Sequence, residues 1–484
     1  MSNYGFDQFQ KYTLTELREL PEKSYKERFQ QAHGYGKRSQ TGYLEGRFAP
    51  KGTPQKMEIL LAAVLSGYCQ YLNPETEKGQ TLSRVLEVLE QSPDKDKAQL
   101  ALVAHFIKQS SKDTERFPYE SLYKDTTGKA AILIDLLKYR PTFERWLRGI
   151  DAAANEMDTP PEVFAPLFRV LKSQGIRHAT YHVGEDFPHL ISGIRAIDDA
   201  MRFLPLGNGD RLGHCTAIGI APVVWRRSLP PTLDLSQETR LLDLIFIWRE
   251  LGANPELLHC ANKAASEAVR LARTIFKGKE TLSIELLDEL FSLRDLYPPY
   301  EPLLDDEART LRPASIWDGE YARIEKLLSQ PEQEPVIRLY REWLLNGAVR
   351  QERFKTCEIK TDDLSDEALI VLQQAVMAKM VNRNVAIECP PTSNTRISQY
   401  YEVHEHHVFR WLGLPGAALD GDLPVAVCLA SDDPGIFVTD LKSEFYHLFS
   451  VLTRHFGLSA YEALSHVARL NENGRRYRFH SPDH

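Results

Sequence analysis

HATYHVGE, residues 178–185, is a short β-rich segment that runs into a glycine and a carboxylate. Its hydrophobicity is continuous, not alternating, which suits a strand buried on both faces of a parallel sheet. Six more stretches read the same way: Thr41 to Phe48, Gln99 to Lys108, Trp146 to Ala153, Asp210 to Cys215, Val385 to Cys389 and Val425 to Ser431. Helical patterns lie between most of them, such as Lys56 to Leu72, Pro161 to Gln174 and Asp440 to His455. Strand then helix, repeated, predicts βα units and an α/β fold with seven strands.

The spacing changes after the fifth strand. The stretch from His214 to Cys389 is far longer than one βα unit. Most of it reads as helix: Glu238 to Leu251, Pro255 to Phe276, Leu282 to Leu293 and Pro335 to Leu345. Proline-rich breaks at 229–232 (LPPT) and 297–302 (YPPYEP) punctuate it. The expected organisation is an N-terminal part of the barrel over 1–220, a helical insertion over 221–380, and the rest of the barrel with terminal helices over 381–484.

The composition is ordinary for a globular chain, with 43% hydrophobic and 26% charged residues. A net charge of −8 argues against a general nucleic-acid surface, since phosphate binding needs clustered Lys and Arg. Six scattered cysteines without a C-x-x-C pair point to a reducing compartment, not a disulfide framework. With neither a signal pattern nor an apolar run long enough for a membrane span, the expectation is a cytoplasmic protein with no membrane partner.

Four polar clusters sit at the C-terminal ends of strand candidates, where an α/β barrel gathers its active-site loops. His182-Val183-Gly184-Glu185 offers a metal-ligating imidazole and a proton-carrying carboxyl, with Gly184 letting the backbone approach a ligand. Arg211-Leu212-Gly213-His214 ends a second strand on histidine. A satisfied structural histidine explains either motif alone. Glu388 to Asn394 (ECPPTSN) reads mainly as a rigid turn, with Thr392, Ser393 and Asn394 bonding the backbone; Cys389 lacks an evident base and reads as a small buried hydrophobe. Ser431-Asp432-Asp433-Pro434 places two carboxylates side by side, which need a cation or donor to stay ionised; a helix cap is the plainer reading. The coincidence of four such strand ends is what points to a hydrolytic metal site.

HVGE, RLGH, CPPTSN and SDDP in this order resemble the signatures of the adenosine deaminase family. LEGRF (44–48), GIDAAANE (149–156), PPEVFAP (160–166) and EHHVFRWLG (405–413) extend the resemblance over about residues 5 to 455, apart from the insertion. It implies a TIM-type (β/α)8 barrel that uses a Zn2+-bound water to replace the 6-amino group of an adenine nucleoside. On that resemblance His182 and Asp432 are zinc ligands, and Glu185 is the general acid toward ring nitrogen N1. His214 orients and activates the water, and Asp433 accepts from N7. Ala154 stands where the family has a glycine against the purine, so its methyl changes the substrate fit expected.

One part of the resemblance is missing. The family's first strand ends in His-x-His, two further zinc ligands, and no such segment precedes TGYLEGRF; His33 stands alone in a glycine-rich stretch. The single H-x-H, His404-Glu405-His406, matches a family segment between strands seven and eight, where a surface or helical role suits it better than ligation. Residues 1–40 read as helix and loop. Seven strands would leave two unpaired apolar edges. The expectation is therefore a C-terminal portion of a longer protein, a misassigned start, a strand supplied by another chain, or an open and catalytically silent barrel. The insertion and the phrases LRELPEKSYKERFQQAHG and VAHFIK more faintly resemble the deaminase component of RADAR-type antiphage systems. That resemblance implies a homo-oligomer, a nucleotide or RNA adenosine substrate, a partner ATPase, and an insertion that mediates assembly or covers the site. Arg211 and Arg396 flank motifs and read as solvated side chains.

Overall fold

A computed structural model describes residues 25–33, 42–77, 79–91, 99–227, 229–278, 281–305, 315–398, 400–433 and 437–479. All seven predicted barrel strands form. They are β1 (Tyr43–Phe48), β2 (Gln99–Ile107), β3 (Leu147–Ala153), β4 (His178–Val183) and β5 (Arg211–His214), then, beyond the shorter β6 (Thr232–Ser236) and β7 (Thr356–Lys360), β8 (Ala386–Cys389) and β9 (Val427–Leu429). They make one curled parallel sheet in the order β1-β2-β3-β4-β5-β8-β9. Every neighbouring pair is parallel, as buried βα units require. The protein is α/β, with a TIM-like half-barrel open between β9 and β1 among the described residues.

The insertion is not purely helical. β6 and β7 pair antiparallel across its base, from Thr232 opposite Lys360 to Ser236 opposite Thr356. Each is short and they lie far apart in sequence, so no hairpin turn announces them. The predicted helices form at Gln237–Leu251, Leu258–Ile275, Ile284–Ser292 and Glu334–Leu345. A further helix, Asp366–Arg383, is capped by Ser365 accepting from Ala368 N and ends on Asn384 at a positive φ of 52°.

Buried ion pairs tie the insertion to the barrel. Arg294 bonds Glu162 (2.6 Å) and Asp199 (2.8 Å), and Arg169 bonds Glu320 (2.6 Å) and Asp295 (2.9 Å). Charges this buried are tolerated only when paired and hydrogen-bonded.

The barrel interior is charged, not apolar. Glu388 accepts from Arg47 and Arg211, and Arg211 also reaches Glu45. Arg211 is thus buried inside the barrel, which corrects its reading as a solvated residue; Arg396 is exposed as expected.

The C-terminal segment spans the gap that seven strands leave. Asn473 Nδ2, on the helix Ala460–Arg476, donates to the Val427 carbonyl of β9 (2.9 Å). Three residues past that helix, Phe479 N donates to Glu45 of β1 (2.7 Å), and Tyr43 Oη donates to the Phe479 carbonyl (2.6 Å). The Phe479 ring plugs the N-terminal mouth of the barrel. It stacks on His178 with centroids 4.8 Å apart and lies under the Arg211 guanidinium at 3.7 Å. Gly149 is required there, because a Cβ would sit 2.5 Å from the Phe479 ring.

Replacing fully buried Phe479 with alanine is expected to cost about 3–5 kcal/mol in urea unfolding. A loss under about 1 kcal/mol would show that the ring does not plug the barrel.

Candidate active site at the C-terminal strand ends

The strand ends share an unusual backbone. Ala154 (φ 107°), Gly184 (78°), His214 (65°), Cys215 (52°) and Asp432 (53°) follow or end β3, β4, β5 and β9, all in the left-handed region. Non-glycine residues held there are strained, and such strain clusters at functional sites. Gly184 is needed for packing: a Cβ would lie 2.5 Å from Ile197 Cδ1.

Asp151 of β3 organises the near side of the site. It is fully buried, and register places it opposite His105 of β2. His105 Nδ1 lies 2.8 Å from Asp151 Oδ2, His182 Nδ1 lies 3.0 Å from Oδ1, and Arg47 Nε lies 2.8 Å from Oδ2. Burial would raise the Asp151 carboxyl, but His182, Arg47 and His105 hold it well below its usual range. Burial lowers the His182 imidazole. A histidine whose Nδ1 is held by a carboxylate presents a neutral, oriented Nε2, the arrangement found around metal ligands. Neither Asp151 nor His105 was singled out from the sequence. Their signal was the inward alternation of VAHFIK and GIDAA on adjacent strands.

The far side gathers the other candidates. His214 Nδ1 lies 3.0 Å from Glu185 Oε1. Burial alone would lower His214; the Glu185 carboxylate more than reverses this and raises it to about 9. The His182 and His214 rings are 5.1 Å apart, which joins the two sides. Ser393 Oγ donates to Asp432 Oδ2 (2.7 Å), and Asn394 Nδ2 donates to Glu185 Oε1 (2.7 Å). The Ser393 and Asn394 side chains of the CPPTSN turn therefore bond the carboxylates of Asp432 and Glu185, where backbone bonds were expected. Asp440 caps the helix Leu441–Arg454. Pro434 lies outside the described residues.

Glu156, of the GIDAAANE segment, accepts from Glu185 N (3.0 Å) and Asp186 N. Burial raises it to about 7, with Lys108 pulling against the shift. Burial lowers Lys108 to about 8, and its Nζ donates to the His182 carbonyl (2.6 Å).

His404 and His406 diverge, and the burial of His406 corrects the surface reading of this pair. His404 stacks on His455 (3.7 Å), whereas His406 is buried beside His407 (4.0 Å). Cys389, His406 and His407 bring their donor atoms together. Cys389 Sγ is 3.9 Å from His407 Nε2, so a base partner does exist. Burial nevertheless keeps the thiol far above its ordinary range, and the group is fully enclosed. His406 Nδ1 accepts from Val408 N (3.0 Å), which puts its proton on Nε2 and removes that lone pair from any cation. We read this trio as core, not as a metal centre.

The strand ends offer zinc a separate set of donors. His182 Nε2 and the Asp432 carboxylate have the right chemistry, but they are two ligands where zinc sites use three or four from protein. Among the described residues the donor set therefore fits zinc in kind and is half complete.

Fold and site together define a parallel α/β half-barrel with its polar centre at the C-terminal strand ends. No family model matches the chain. Over 83 residues it is 32% identical to the adenosine deaminase-like protein of Drosophila melanogaster; this covers 17% of the chain and 21% of that protein, about a fifth of the relative's length. The motifs and this match agree that the chain is adenosine deaminase-like in sequence. A solved adenine deaminase from Arthrobacter aurescens overlays with a TM-score of 0.40 at 13% identity, covering 95% of this chain and 73% of that one. The fold assignment rests on the strand pairing above, not on that overlay. Among the described residues no helix is long and apolar enough to cross a membrane.

Relieving the strain at Ala154 with glycine is expected to stabilise the fold by about 1 kcal/mol, read from the denaturation midpoint. Unchanged or lower stability would mean the methyl makes compensating contacts. Glu388 allows a test of the interior charges. Burial raises its carboxyl, but Arg47 and Arg211 outweigh this and hold it at about 2, below its usual 4.5. A depressed carboxyl contributes stability above about pH 4.5 and loses it as pH falls toward 2. The stability gap between the wild type and Glu388→Gln should close over that window; a gap independent of pH would contradict it.

Proposed function

We propose that this chain forms the catalytic barrel of a zinc-dependent hydrolytic deaminase. Its substrate would be the adenine of a nucleoside, a nucleotide or an RNA adenosine, and its product the inosine form. The observation that carries this reading is the meeting of His182, Glu185 and His214 at strained strand ends, with Asp151 orienting His182. His182 and Asp432 would hold the zinc, which when bound supplies a water with a pKa of roughly 7. Glu185 would carry a proton to ring nitrogen N1, so that the ring accepts electrons at C6. His214, hydrogen-bonded to Glu185, would orient the attacking water. Asp433 would accept from N7, and Ala154 would lie along the purine. Homo-oligomer formation, a partner ATPase and a role in antiphage defence rest on the fainter sequence resemblance and belong to the same proposal.

A second reading has its own observation. Arg47 already places a cation against Asp151 and Glu388, and His182 and Asp432 are two of the four protein ligands that the resemblance implies. A catalytically silent barrel within a larger assembly would look the same.

Metal content and product separate the two. The enzyme reading expects about one zinc per chain by mass spectrometry of the metal. It expects the zinc to be lost in His182→Ala, and inosine to form from an adenosine substrate. Glu185→Gln should retain zinc and lower kcat on the order of 10²- to 10⁴-fold. Chain without metal and without product would leave the silent reading.

A further inference from the structure

We infer that His406 is a positioning residue that sets which oxygen of Glu185 carries the proton. This rests on the deaminase reading of Glu185. The chain of bonds has one direction. Val408 N–H can only donate, and it donates to His406 Nδ1 (3.0 Å). A neutral imidazole has one acceptor nitrogen and one N–H, so the proton of His406 is on Nε2. Burial lowers His406 to about 3, which keeps the ring neutral.

Nε2–H faces Asn394 Oδ1 at 3.3 Å. A carbonyl oxygen belongs there, because the amide NH2 would place donor against donor. The Asn394 orientation is thereby chosen, and its NH2 is turned to Glu185 Oε1 at 2.7 Å. That nitrogen also lies 2.9 Å from His214 Nδ1, which itself lies 3.0 Å from the same Oε1. The Asn394 NH2 donates to Oε1 and holds it as an acceptor. Oε2 is left as the oxygen on which a proton travels. The four side chains are buried, with Asn394 fully so and the others at most 6% exposed, so no bulk water can substitute for a lost bond.

The charged and aromatic groups around His406 are consistent with this. The Tyr400 ring packs on it with centroids 5.2 Å apart, and His407 stacks at 4.0 Å. His407 is held neutral by burial and is bonded to Tyr400 Oη (2.5 Å), so neither neighbour competes for Nε2–H.

The test has two arms. In the full chain labelled with 15N-histidine, NMR should find His406 in the Nε2–H form, and the Nδ1–H form would overturn the proposal. This arm needs no substrate. In the kinetic arm, His406→Leu should lower kcat about 10- to 100-fold with KM little changed. His406→Gln keeps an N–H donor for Asn394 and should recover most of that loss; melting curves of both variants check that they fold. Native kcat in His406→Leu, or equal losses in Leu and Gln, would also overturn it. A wild-type chain that makes no inosine counts against the deaminase reading, and the tautomer then decides the bond direction alone.

Discussion

The Asp151 carboxylate sits fully buried in the barrel and bonds the side chains of two other strands and the ring of a third. A bare carboxylate there would be very costly, so its partners are not optional. Arg47 supplies the charge, and His105 and His182 supply ring N–H groups. In return each ring is held at one angle. The position of His182 follows from the need to satisfy one buried anion, and its ring lies 5.1 Å from that of His214.

The same logic extends down the barrel. Arg47 is shared with Glu388, Glu388 with Arg211, and Arg211 with Glu45 and the C-terminal segment. The alternation of sign lets a polar interior stand where apolar layers would otherwise pack. Phe479 closes the bottom of this column, and its backbone and that of Tyr477 take up Glu45, Tyr43 and Arg211. The segment furthest along the chain thus links β9 to β1. It covers part of the edges that an open sheet exposes.

At the mouth, geometry assigns unlike roles to similar residues. His214 and His406 are buried and His182 is half-buried, yet a carboxylate with an amide, a backbone N–H, and a carboxylate set their protons differently. Burial acts in the same direction on all three. What separates them is the partner: His214, against Glu185, rises, and His406, facing only neutral groups, falls. Proximity of donor atoms alone would have marked the Cys389 trio as the metal centre. Hydrogen-bond direction reverses that choice.

The seven barrel strands were legible because continuous apolar runs are dictated locally, by burial on both faces. The strand-end motifs were legible because polar residues after such runs have few other uses. HVGE and RLGH could be matched to strand ends from spacing alone. β6 and β7 were not legible, since their pairing is set by how the insertion folds back. Nor were Asp151, His105 and Arg47, whose roles exist only when adjacent strands bring them face to face. Sequence by itself determined the βα order and the kinds of groups at each strand end. Only the tertiary structure decided that Arg211 turns inward, that Asn394 serves Glu185, and that Phe479 bridges the open sheet. Those outcomes depend on which buried charges and N–H groups must find partners across the barrel, and such partners lie far apart in the chain.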